Sequence, residues 1–183
     1  MKKLLLVIAV VLFGTVNLHA QDFQFGIKGG LNFATITGDN TLKSDMVTAF
    51  HVGGMLEIPI SEKFSVQPEI LFSGAGYSFE DNITALNYLD IPIIAKYYVT
   101  KGLSLEAGPQ IGFLLSAKTE DLDVRDAYDN VNLSLATGVG YKLDNGLHFG
   151  ARYNFGLTSM YNLNDIDDKN TIGVFQLSVG YFF

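Results

Sequence analysis

From Phe23 to Phe183 the chain alternates apolar and polar residues at period two, segment after segment. Strands of soluble barrels and sandwiches also alternate, but they need an apolar interior and a wet outside. Here the positions on the inward face are Gly, Ser, Asn, Gln and charged residues, so the apolar face must meet lipid. The closing segment shows the rule well. Gly173, Phe175, Leu177, Val179, Tyr181 and Phe183 fall on one face, and Gln176, Ser178 and Gly180 fall mainly on the other.

Eight such segments follow one another. Phe23 to Thr35 sends Phe25, Ile27, Leu31 and Phe33 outward; Phe50 to Ile60 and Phe64 to Tyr77 follow, separated by Ser61-Glu62-Lys63. Tyr88 to Val99 and Leu103 to Leu115 flank Thr100-Lys101-Gly102, and Val131 to Leu143 and Leu147 to Leu157 flank Asp144-Asn145-Gly146. Thr171 to Phe183 is the eighth. These short turns alternate with longer polar connections at Ile36 to Ala49, Ser78 to Asn87, Ser116 to Asn130 and Thr158 to Asn170. Short periplasmic turns and long external loops are the asymmetry of an outer-membrane barrel, and closure removes the sheet edges that lipid cannot tolerate. The expected fold class is all-β, an eight-stranded antiparallel up-and-down transmembrane β-barrel.

Targeting agrees with this. Lys2 and Lys3, an apolar run from Leu4 to Phe13 and Ala20 before Gln21 have the plan of a secretory signal peptide over residues 1–20, leaving 21–183 as the barrel domain. Without Lys2 and Lys3 the balance is 10 basic against 19 acidic residues, a formal charge of minus 9, which argues against a nucleic-acid partner. With no cysteine there is no disulfide, thiolate metal site, catalytic thiol or lipidated N-terminal cysteine. The expected location is the outer membrane of a Gram-negative bacterium. Lipid and lipopolysaccharide surround the belt there, and the barrel-assembly machinery reads Tyr181 and Phe183 as the C-terminal insertion signal. A monomer is expected, with the external loops open to a binding partner.

The motifs Asn87-Tyr88-Leu89-Asp90-Ile91-Pro92-Ile93 and Gly108-Pro109-Gln110-Ile111-Gly112-Phe113, with the aromatic end, resemble those of the small outer-membrane β-barrel proteins of the Bacteroidetes, called porin-family or PorT-like. The resemblance spans the chain after residue 20 and implies fold and location. Function does not transfer with it.

The strand faces place Lys28, Lys96 and Arg152 in the lumen with Glu57, Glu69, Asp90 and Glu106. Pairing Val99 with Leu103 sets Lys96 opposite Glu106 as a cross-strand ion pair. The same count sets Met55 against Glu69 and Gly138 against Arg152, so the central charges must find partners on other strands. Eight strands leave an interior only wide enough for side chains, and the expected lumen is plugged by a structural polar core rather than open as a gated ion path. No catalytic residue, cofactor or metal site is expected. His51 and His148 face inward near opposite ends, which argues against a shared site with a serine and a carboxylate. Asp121, Asp123, Asp126 and Asp129, and Asp165, Asp167 and Asp168, lack the glycine and terminal glutamate of a calcium loop and read as solvated loop charges.

Overall fold

The computed structural model describes residues 23–37, 45–79, 82–119, 122–159 and 171–183. The expected signal peptide and Asp121, Asp165, Asp167 and Asp168 lie outside the described residues. Eight long strands form the barrel: β1 (Gln24–Thr37), β2 (Asp45–Ser61), β3 (Phe64–Phe79), β4 (Asn82–Tyr98), β5 (Leu103–Thr119), β6 (Val131–Lys142), β7 (Leu147–Gly156) and β8 (Thr171–Phe182). Each pairs antiparallel with its sequence neighbours, and β1 closes onto β8 from Gly26 opposite Phe182 to Thr37 opposite Thr171. The Phe183 amide donates to the Phe25 carbonyl at 2.8 Å, carrying the seam to the last residue. Among the described residues each of these eight strands is paired on both sides, and closure leaves the barrel wall without an open edge to lipid.

The alternation decides which side of the wall each residue occupies. Phe25 is 63% exposed and Ile70 61%, whereas Lys96 is 0%, Glu69 2% and Arg152 3%. That inverts the arrangement of a soluble protein and matches a solvent that is hydrocarbon. Phe64, Tyr97, Tyr141, Tyr181 and Phe183 form an outward aromatic rim at the periplasmic end, where amphipathic rings meet headgroups. Tyr98 turns inward instead and hydrogen-bonds Glu57. Gly102 and Gly146 hold the turns at φ of +91° and +89°, a conformation that a Cβ would strain.

Three expectations need correction at the external side, the first being that β1 runs to Thr37 and β2 begins at Asp45, inside the expected Ile36 to Ala49 connection. Ser78 to Asn87 is not a long loop: β3 runs to Phe79 and β4 resumes at Asn82, with Tyr77 opposite Thr84. Inward positions Ala75, Thr84 and Leu86 give these extensions a buried face, which a reading based on membrane thickness does not anticipate. The segment Ser116 to Asn130 likewise begins as strand to Thr119, then forms a two-residue strand Leu122–Asp123 and a 3₁₀ turn Arg125–Ala127. A register shift by Asn87 and Tyr88 opposes them to Ser116 and Leu114, so Leu115 is the extra residue of a β-bulge. Beyond it the inward set of β5 moves from even to odd residues, burying Ala117.

Candidate functional site

Among the described residues the lumen concentrates the buried charged and polar side chains, and it is built in three layers. At the periplasmic end and the centre lies an ion-pair layer. The register sets Lys96 opposite Glu106, Met55 opposite Glu69 and Gly138 opposite Arg152, as the turn positions predict. Adjacency does not, however, decide the pairing. Lys96 Nζ is 3.8 Å from Glu106 but 3.0 Å from Glu57 Oε2, and it also donates to Gln67 Oε1 at 3.0 Å.

Arg152 on β7 ties the layer together. Its Nη1 and Nη2 donate to Glu69 on β3 at 3.0 and 2.7 Å, and its Nε donates to Glu106 on β5 at 2.8 Å. In an eight-stranded closed barrel β3 and β7 stand on opposite walls, so this fork spans the bore. Lys28 adds a second donor to Glu69 at 2.9 Å. Lys142 on β6 reaches Glu57 on the facing β2 at 3.0 Å, and Tyr98 donates to the same carboxylate. Bidentate guanidinium contacts and charge-assisted bonds satisfy these groups in a buried interior, where a lone charge would be costly. Glycine makes the space: a Cβ on Gly140 would lie 2.3 Å from Glu106 Oε1 and 2.9 Å from His148 Nε2.

Six of the seven expected lumen charges meet in this layer. Asp90 does not, and this corrects the sequence reading. Among the described residues no ion pair includes Asp90, whose carboxylate is hydrogen-bonded by Ser73 and Gln110 nearer the external end. It shares the inward face of β4 with Lys96, but six residues of strand separate them along the axis. Lys142, Tyr98 and Gln67 are members that the expected site omitted, although all three occupy inward positions.

The middle layer is a ring of polar side chains around a small cavity lined by Ser73, Asp90, Gln110, Ser134, Asn154 and Gln176 among others. A relay of side chains leads to it. Asn32 Nδ2 donates both to Ser73 Oγ at 3.0 Å and to the Gly74 carbonyl at 2.7 Å, leaving its Oδ1 to accept from His51 Nδ1 at 2.7 Å. That fixes His51 as the Nδ1–H tautomer, so Nε2 accepts from the Ser178 hydroxyl at 3.0 Å. The two histidines therefore have separate surroundings. His148 lies 3.7 Å from Glu106 and edge-on to Phe182 in the lower layer. The outermost layer is apolar: Ala34, Leu86, Leu114, Ala117, Tyr128 and Ile172 form a buried cluster, and the Tyr77 and Tyr128 hydroxyls meet at 2.6 Å. Among the described residues no group of three His, Cys, Asp or Glu side chains is arranged to hold a metal ion.

Comparison with known proteins agrees with this geometry. A family model described as an outer membrane protein beta-barrel domain matches residues 19–162. Among solved structures, the attachment invasion locus protein Ail of Yersinia pestis shares 13% identity over 89% of this chain and 100% of its own, with a TM-score of 0.55. Neisserial surface protein A shares 12% identity over 89% of this chain and 100% of its own, with a TM-score of 0.61. At such identities the likeness is one of fold. No curated protein matches by sequence.

Proposed function

The chain belongs to the outer membrane protein β-barrel domain family and resides in the outer membrane of Gram-negative bacteria, and from that premise we propose a structural or surface-interaction role with a charge-plugged lumen and no catalysis. Within the family we place it with the PorT-like barrels of the Bacteroidetes, on the Tyr88-Leu89-Asp90-Ile91-Pro92 and Gly108-Pro109-Gln110 motifs. The observation that carries the proposal is the Arg152 fork, which joins opposite walls through Glu69 and adds Glu106 with side chains at most 3% exposed. No hydrated ion passes through a layer so occupied unless several ion pairs break together. Work is then left to the surfaces: the apolar belt against lipid and lipopolysaccharide, and the external loops against a binding partner. Ail, a fold neighbour, has been solved in complex with the heparin analogue sucrose octasulfate. This chain's strongly acidic balance favours a different, cationic or cation-bridged, loop partner.

The test is single-channel conductance of the folded protein in planar bilayers, beside Lys96→Ala and Glu106→Ala. A silent wild-type barrel is expected. Discrete wild-type openings that change in either variant would replace the plug with a narrow pore for ions or small solutes.

The Ser178-His51-Asn32 array has the order of a hydroxyl, a base and an orienting group, the pattern of acyl-transfer sites. We read it as structural. Ser178 is 6% exposed, inside the lumen and surrounded by polar groups unsuited to an acyl chain. Expression of wild type and Ser178→Ala should leave the lipid profile of the membrane the same. A lipid product made by wild type and lost in Ser178→Ala or His51→Ala would make the protein a lipid-modifying enzyme.

A further inference from the structure

The middle layer of the lumen buries one carboxyl group, Asp90, that takes part in no ion pair among the described residues. In the ion-pair layer, the part nearest the ring is balanced: Lys28 and Arg152 face Glu69 and Glu106. The surplus cation of that layer lies at the periplasmic mouth, where Lys96 and Lys142 share Glu57. The two donors to Asp90, Ser73 and Gln110, are neutral.

A relay of hydrogen bonds leads to Asp90. Reading the donors in order, Ser178 gives to His51, His51 to Asn32, Asn32 to Ser73 and Ser73 to Asp90. Every proton along this chain points towards Asp90, and aligned bonds polarise one another in favour of negative charge at their end. Burial away from a counter-charge favours the neutral acid, so an ionised Asp90 calls for a cation beside it.

The cavity beside it is made for one. It offers about 30 Å³ to the centres of water-sized occupants, room for about two of them. Asn154 Oδ1 and Gln176 Nε2 border this space, both buried and neither with a hydrogen-bond partner. An unpartnered oxygen asks for a cation or a donor, and an unpartnered N–H asks for an acceptor. A cation carrying one water answers both. The donor set, one carboxylate with neutral oxygens from Ser134 and Asn154, matches a single positive charge; calcium sites are built with more carboxylates.

We propose that the upper lumen binds one monovalent metal cation of the sodium or potassium type, held by Asp90 and Asn154 and keeping one water that accepts from Gln176. The site is a structural counter-ion site, separate from the plug and independent of whether the barrel conducts.

Thallium(I), an electron-dense substitute for potassium, gives the direct test. Crystals of the full protein grown with thallium salt should show an anomalous peak within coordinating distance of the Asp90 carboxylate, and Asp90→Asn should lose it. In parallel, the unfolding midpoint of the wild-type barrel should be higher in potassium chloride than in N-methyl-D-glucamine chloride at equal ionic strength. Asp90→Asn should remove that difference, and Asn154→Leu should weaken cation affinity at least tenfold. Absence of the thallium peak in wild type overturns the proposal, leaving a cavity that holds water alone. So does a potassium effect that is equal in wild type and Asp90→Asn. Since the wild-type crystal decides by itself, failure of a variant to fold does not leave the question open.

Discussion

The two halves of the lumen are built on the same strands by the same alternation, yet they settle buried polarity in opposite ways. Near the periplasm, acids and bases interlock across the bore, and Arg152 alone takes three charge-assisted bonds. Towards the outside, a single carboxylate ends a chain of neutral donors beside a small cavity, under an apolar cluster. A buried network of charges is rigid because most of its members have several partners, so removing one strands others. A ring of single hydrogen bonds with spare room can readjust. The plug and the adaptable space thus occupy different depths of one tube.

The largest expected effect breaks the lower half. Arg152→Met leaves Glu106 with Lys96 at 3.8 Å and Glu69 with Lys28 alone, and should lower stability by about 3–5 kcal/mol, read from urea unfolding in lipid vesicles. A loss below about 1 kcal/mol would mean that water screens these charges and that the two halves do not differ in dryness.

A finer contrast comes from the same substitution in each half. Gly140→Ala drives a Cβ to 2.3 Å from Glu106, which Arg152 holds in place; overpacking there should cost about 1–3 kcal/mol. Gly112→Ala brings a Cβ to 2.5 Å from Asp90 Oδ1, but that carboxylate has the cavity to move into. Its cost should be the smaller of the two in the same unfolding measurement. If the order were reversed, the upper ring would be the rigid half.

The smallest effect sets the baseline. Lys101 and Asp144 pair at 3.0 Å on the periplasmic turns with both side chains at least 80% exposed. Lys101→Ala should leave the unfolding midpoint within experimental scatter, because water already solvates both groups.

Much of this architecture is legible in the chain. Alternation marks the outward belt from Phe25 to Phe183, and the turns at Ser61, Thr100 and Asp144 fix each hairpin register, including Lys96 opposite Glu106. Strand ends on the external side were harder to read. The β3–β4 extension is held by inward Ala75, Thr84 and Leu86, which resemble loop residues until the Leu115 bulge and the neighbouring strands give them a core.

What the sequence determined by itself was therefore the wall: strand number, facing and the pairing of neighbours, all consequences of a local period of two and tight turns. Only the tertiary structure decided who meets whom inside. Lys28 meets Glu69 two strands away, Lys96 meets Glu57 two strands away, and Arg152 and Lys142 reach across four, while Asp90 stays apart. Those distances exist only once the sheet has closed with its particular stagger. Inside a tube side chains meet across the bore as readily as along the wall, and no local pattern encodes that meeting.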